Sequence, residues 1–140
     1  MHNSSPLLVC LGFDFGMKRI GVATGQSLTH SATPLCILRA QDGQPEWKII
    51  EELIHTWQIN TLVVGIPYHM DGTEQELTFA AKKFAHRLQN NFKLPVHCVD
   101  ERLTSIEAKR REGNTKNANH IDSIAAQIIL EDFLKNHFLP

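Results

Sequence analysis

The segment Leu7–Phe15 is almost unbroken apolar sequence, and it restricts the fold more than any other stretch of the chain. A strand without polar alternation must be covered on both faces, so it belongs at the centre of a sheet with further layers on each side. Gly16-Met17-Lys18-Arg19 then reads as a turn into a second strand, Ile20–Thr24, and Thr33–Leu38 as a third after a Ser/Thr-rich loop. These three predict an antiparallel meander.

Beyond it the pattern changes to helix and strand in alternation. Pro45 is placed to open a helix carrying Trp47, Ile50, Leu53, Ile54 and Trp57 at helical spacing, and Thr61–Pro67 follows as a buried strand. Thr73 and Glu76 have capping-box spacing ahead of an apolar stripe of Leu77, Ala80, Ala81, Phe84, Ala85 and Leu88, with Asn90-Asn91 as its stop. Leu94–Val99 predicts a fifth strand. A second capping box, Thr104 with Glu107, predicts a short basic helix ending at Gly113-Asn114, and a last helix spans His120 to Asn136. The order βββαβαβα predicts an α/β fold: a mixed five-stranded sheet with helices on both faces.

Three acidic positions conflict with this pattern. Asp14 interrupts the first apolar strand, Asp100-Glu101 closes the fifth, and Asp122 stands near the start of the last helix. Asp122 is in line with Ala125, Ala126, Ile129, Leu130 and Phe133, so helical periodicity turns it toward the core side. An ionised carboxylate withdrawn from water needs a partner or a metal. Each acid also has a plainer explanation: an Asx turn at Gly16 for Asp14, the helix dipole for Asp122, and a salt bridge with Arg102 or a helix cap for one of Asp100 and Glu101. Strand alternation sends Asp100 and Glu101 to opposite faces, so at most one of them enters a shared site.

Functional groups in open α/β sheets collect beyond the carboxyl ends of the strands, where Asp14 and Glu101 both stand. Carboxylates with few nearby His or Cys residues describe a hard-oxygen site for Mg²⁺ or Mn²⁺, one ion or two, rather than zinc. Such ions activate water for phosphodiester hydrolysis without a side-chain nucleophile.

The totals limit the remaining possibilities. One ordinary domain, residues 1–140, is expected from 140 residues of which 42% are hydrophobic and 21% charged. The formal net charge is −1 and the pI about 6.7, so a polyanion would have to be held by a local basic patch. Cys10, Cys36 and Cys98 form no close pair, which fits a reducing compartment. The start lacks a basic n-region and the first apolar run is broken at Asp14, so a cytoplasmic protein with no membrane partner is expected.

Four blocks now carry a family resemblance. Gly12-Phe13-Asp14-Phe15-Gly16 with Lys18-Arg19-Ile20-Gly21-Val22-Ala23, Val64-Gly65-Ile66-Pro67 with Met70-Asp71-Gly72-Thr73-Glu74, Asp100-Glu101-Arg102-Leu103-Thr104-Ser105 with Glu107-Ala108, and Asp122-Ser123 with Ala125-Ala126 resemble the YqgF (RuvX) family in order and spacing. The resemblance implies an RNase H-like fold. It also implies a nuclease acting in maturation of the 5′ end of 16S ribosomal RNA, with Holliday junction resolution as an older assignment. It makes Asp14, Glu101 and Asp122 the catalytic, metal-binding acids. The implied partners are precursor rRNA or branched DNA, with ribosomal particles, for a monomer or a homodimer. One departure is the stretch Asn117-Ala118-Asn119-His120, where the family has a Lys/Gly-containing loop.

Positive charge adjoins each acid: Lys18 and Arg19, then Arg102, then Lys109, Arg110, Arg111 and Lys116. A basic rim of this kind would contact phosphates in a salt-dependent way. Lys82, Lys83 and Arg87 instead read as a solvated helix face, and Tyr68 or His69 as a loop side chain able to stack on a base. Asp14-Phe15-Gly16 copies a kinase motif, but the chain has no Gly-rich loop or catalytic-loop signature. The sugar-kinase and actin type of start would need a second lobe. A non-catalytic nucleic-acid or ribosome-associated binding module is the alternative from a different class.

Overall fold

A computed structural model describes residues 7–103 and 118–138, with the side chains of the last helix described from Ser123 to Asn136. Val9–Asp14 (β1) pairs antiparallel with Arg19–Gln26 (β2), which pairs antiparallel with Ser31–Gln41 (β3), so the expected meander is present with longer strands. Thr61–Ile66 (β5) lies parallel to β1, and Val96–Asp100 (β6) parallel to β5. A sixth, two-residue strand, Gln44–Pro45 (β4), extends the edge, giving the order β4-β3-β2-β1-β5-β6. The sheet is mixed as expected, with this short strand added.

β4 displaces the expected helix start. Asp42 and Gly43 both take positive φ, 53° and 78°, and turn the chain back on β3. A left-handed Asp-Gly pair is the turn that matches strand twist, and Pro45 is tolerated because β4 is an edge strand. The first helix, Trp47–Trp57 (α1), therefore begins after Glu46. Its expected stripe fails at Trp57, which is 46% exposed. Gln58 adopts a left-handed cap, and Ile59 returns to the core with its N–H donating to the Ile54 carbonyl.

The second helix, Glu76–Phe92 (α2), also starts differently from expectation. Thr73 is committed to an Asx turn, its N–H and hydroxyl both donating to Asp71 Oδ1 at 2.9 and 2.7 Å. The reciprocal cap is formed instead by Gln75 and Thr78, and the helix runs past Asn90-Asn91 to a left-handed Lys93.

The two faces of the sheet are covered differently. Leu11, Phe13, Phe15, Ile20, Val22, Leu62, Val64 and Ile66 form one core with α1 and α2. On the other face Cys10, Ala23, Ala32 and Val63 meet the last helix, Ala118–Phe138 (α3). Ala125, Ala126, Ile129, Leu130 and Phe133 of α3, the expected stripe, are all buried. Glycines let α3 lie close: a Cβ on Gly12 would stand 3.0 Å from Leu130 Cβ. No described helix is long and apolar enough to cross a membrane. The described cysteines are free.

Candidate active site

Asp14 is the last residue of β1 and only 5% exposed. Phe13 points into the aromatic core, so alternation sends Asp14, like Gly12, to the α3 face. Its register neighbours are glycines on both sides, Gly21 in β2 and Gly65 in β5. No side chain at those two register positions crowds the carboxylate.

Glu101 reaches the same place from another strand. β6 ends at Asp100, and Glu101–Leu103 form a 3₁₀ turn. This turn brings Glu101 Oε1 to 2.9 Å from where a Cβ on Gly65 would be. Gly65 thus joins the two acids: it is the ladder partner of Asp14, and its empty side-chain position receives Glu101. A Cβ there would also stand 2.4 Å from Ile129 Cδ1 of α3. Gly65 lies inside β5.

Asp100 faces elsewhere and is tied to its neighbour. Arg102 Nη2 donates to Asp100 Oδ2 at 2.7 Å, Nε lies 3.2 Å from both carboxylate oxygens, and the Arg102 N–H donates to Oδ1 at 2.9 Å. These hydrogen bonds, the guanidinium bond foremost, hold the Asp100 carboxyl below its ordinary range against a smaller opposing effect of burial. The Arg102 guanidinium also lies 5.4 Å from the Tyr68 ring centroid and 3.2 Å from the Cβ position of Gly72, whose φ is +91°. Lys82 lies 5.5 Å from the same ring. The loop after β5 is fixed internally: His69 N–H donates to the Thr73 carbonyl and Gly72 N–H to the His69 carbonyl. Arg102 therefore ties the turn bearing Glu101 to the loop after β5.

The third expected acid, Asp122, is within the first turns of α3, but its side chain lies outside the described residues. The helix direction is nevertheless defined. Ile129 packs at Gly65, whereas Phe133 meets His97, which pairs with Val63 two residues earlier in β5. The N-terminal half of α3 thus points toward the carboxyl edge of β1 and β5, with Asp122 about 10 Å further along the axis than Ile129. Among the described residues no group of three metal-binding side chains is gathered. Two of the three expected acids are brought together.

Of the expected basic residues, Lys18 and Arg19 are exposed beside Asp14. Arg19 falls on the α3 face by alternation with Ala23. Lys109, Arg110, Arg111, Lys116 and the Thr104–Glu107 cap lie outside the described residues. A residue that sequence reasoning misses is Arg39, which is exposed and directly opposite Arg19 in the β2–β3 ladder. Two like charges facing each other across strands is a signal that register alone supplies.

The mixed sheet, its carboxyl-edge acid in β1 and the closing helix α3 give an RNase H-like fold. The described fold resembles Thermus thermophilus RuvC in complex with a Holliday junction substrate at a TM-score of 0.54, 16% identity, 93% of this chain and 95% of that one. It resembles a second T. thermophilus RuvC structure at 0.53, with 12% identity over 93% and 96% of the two chains. Residues 8–136 match the RuvX family model, described as Holliday junction resolvase, and the chain belongs to that family. A Coxiella burnetii relative named "Putative pre-16S rRNA nuclease" is 63% identical over 131 residues, covering 91% of this chain and 93% of its own. A Shewanella oneidensis relative of the same name is 49% identical over 135 residues, covering 91% and 94%.

Proposed function

We propose that this chain is a divalent-metal-dependent nuclease that trims the 5′ end of precursor 16S rRNA, free or within assembling ribosomal particles in the cytoplasm. The observation that carries the reading is the seating of Glu101 at Gly65, the strand partner of Asp14, on the face closed by α3. Two carboxylates brought to one glycine on the same face of the sheet favour a hard cation shared between them. The donor set consists of carboxylate oxygens, which suits Mg²⁺ or Mn²⁺.

Asp14, Glu101 and, from the start of α3, Asp122 would hold the metal, one ion or two. When bound, it supplies a water of lowered pKa and neutralises charge at the scissile phosphate. The chain's own groups position the substrate. Arg19 and Arg39, opposed across the β2–β3 ladder, place two cationic side chains at one point of the sheet. Together with Lys18 at the adjoining turn, they would meet backbone phosphates of the substrate. Arg102, already neutralised by Asp100, serves to hold the Glu101 turn in place. RNA is favoured over branched DNA as substrate by the names of the relatives at 49–63% identity.

The test is cleavage of a labelled precursor 16S 5′ fragment beside a four-way DNA junction, with Mg²⁺, with Mn²⁺ and with EDTA. The expected result is metal-dependent cutting of the RNA that disappears in Asp14→Asn. Preferred cutting of the junction would transfer the activity to DNA resolution. RNA binding without any cutting would make the chain a binding module.

A further inference from the structure

On the face opposite Asp14, the turn between β3 and β4 and the first turns of α2 enclose an open groove of about 630 Å³. Its floor is Phe15, the residue that follows Asp14, so the groove and the carboxylates stand back to back across one peptide. Gly43 closes one side, its N–H donating to the Met17 carbonyl at 2.9 Å and its Cα so near the Phe15 ring that a Cβ would lie 2.8 Å from Cζ. The other side is a ridge of α2 at four-residue intervals: Phe79, Lys83 and Arg87. Phe79 is 59% exposed and Met17 42%, unusual for large apolar side chains beside two cations. Asp42 stands on the turn that rims the groove.

We propose that this groove binds a nucleotide of single-stranded RNA flanking the cleavage site, a subsite that rests on the nuclease reading above. Phe79 offers a face on which any base stacks. Lys83 and Arg87, about 6 Å apart along the helix, meet the backbone phosphates. The Asp42 carboxylate accepts from a base amino group. Charge selects this occupant over an apolar peptide, because the exposed aromatic is followed on its own ridge by two cations. A flexible single strand can pass over the sheet edge from Asp14 to Phe79, whereas a stiff duplex cannot make that turn. The subsite therefore confers preference for substrates with a single-stranded flank.

The test measures binding of a fluorescein-labelled single-stranded oligoribonucleotide in EDTA, and separately the ratio of kcat/KM for a precursor fragment with its flank to one with the flank trimmed. Phe79→Ala and Phe79→Leu are expected to weaken oligonucleotide binding by about tenfold and to lower that ratio toward one, with Phe79→Tyr restoring both. Lys83→Glu with Arg87→Glu should flatten the log–log salt dependence of binding by about 0.7 for each phosphate that is no longer neutralised. Unchanged binding in Phe79→Ala, retention by Phe79→Leu, or crosslinking of a photoreactive residue at position 79 to protein instead of RNA would each overturn the proposal. Because the binding arm needs no catalysis, Phe79-dependent binding by an enzyme that cuts nothing would sink the nuclease reading and keep the subsite. Normal cutting with binding indifferent to position 79 would do the reverse.

Discussion

The two faces of the sheet are built from opposite materials. Under α1 and α2 the sheet presents large side chains, and Phe84 contacts Phe13, Phe15 and Trp47 at ring-centroid distances of 5.4, 5.1 and 5.6 Å. Under α3 it presents Gly12, Ala23, Gly25, Ala32, Val63 and Gly65, so the helix approaches until its own side chains fill the gap. The thick face holds the sheet together by aromatic burial. The thin face leaves a low floor at its carboxyl edge, where the carboxylates of Asp14 and Glu101 gather next to Gly65. One face thus carries the aromatic core, and the other gives up packing volume where the proposed site lies.

The comparison is broken most severely on the thick face. Phe84→Ala is expected to cost about 3–5 kcal/mol in stability, read as a lowered urea midpoint at unchanged slope. Activity per folded molecule should survive, since Phe84 belongs to the core on the face away from the acids. The mirror experiment is Gly65→Ala. Its Cβ would meet Glu101 Oε1 and the buried Ile129, costing about 1–3 kcal/mol and moving Glu101 away from Asp14. Here cleavage is expected to fall more than the stability loss explains, measured as kcat on protein verified folded by circular dichroism.

Much of this architecture is readable in the sequence because the signals are local. Asp14 is conspicuous as an acid inside an apolar run, and the α3 stripe is written at helical spacing. Alternation separates Asp100 from Glu101 but does not say which of them joins Asp14, because that depends on register with β5 and on the 3₁₀ turn that begins at Glu101. The glycines around Asp14 and the facing pair Arg19 and Arg39 depend on register between strands, which no single segment contains. β4 has a local signal that is outweighed. Asp42-Gly43 is a hairpin dipeptide, but Pro45 next to a helical pattern reads equally as a helix start. The cap of α2 moves because Asp71 captures Thr73 first.

The smallest of these effects refines the thin face. Asp100→Asn removes the charge partner of Arg102 and should cost no more than about 1 kcal/mol, since the pair sits at the surface and is only part-buried, where solvent screens it. Because the folded carboxyl titrates below its ordinary range, the contribution is complete above the unfolded pKa of Asp. It disappears as pH falls through the lower folded value. A urea series from neutral to acid pH should show wild type and Asp100→Asn converging at the acid end. Cleavage should decline modestly in the variant through looser placement of Glu101.

The division of labour between the faces requires that Asp14 and Glu101 form one cation site. Manganese binding, followed by the loss of free Mn²⁺ signal in electron paramagnetic resonance, tests this directly on wild type, Asp14→Asn and Glu101→Gln. The expected result is affinity lowered by more than about tenfold in each variant with the fold intact. Equal Mn²⁺ affinity in all three folded proteins would contradict it.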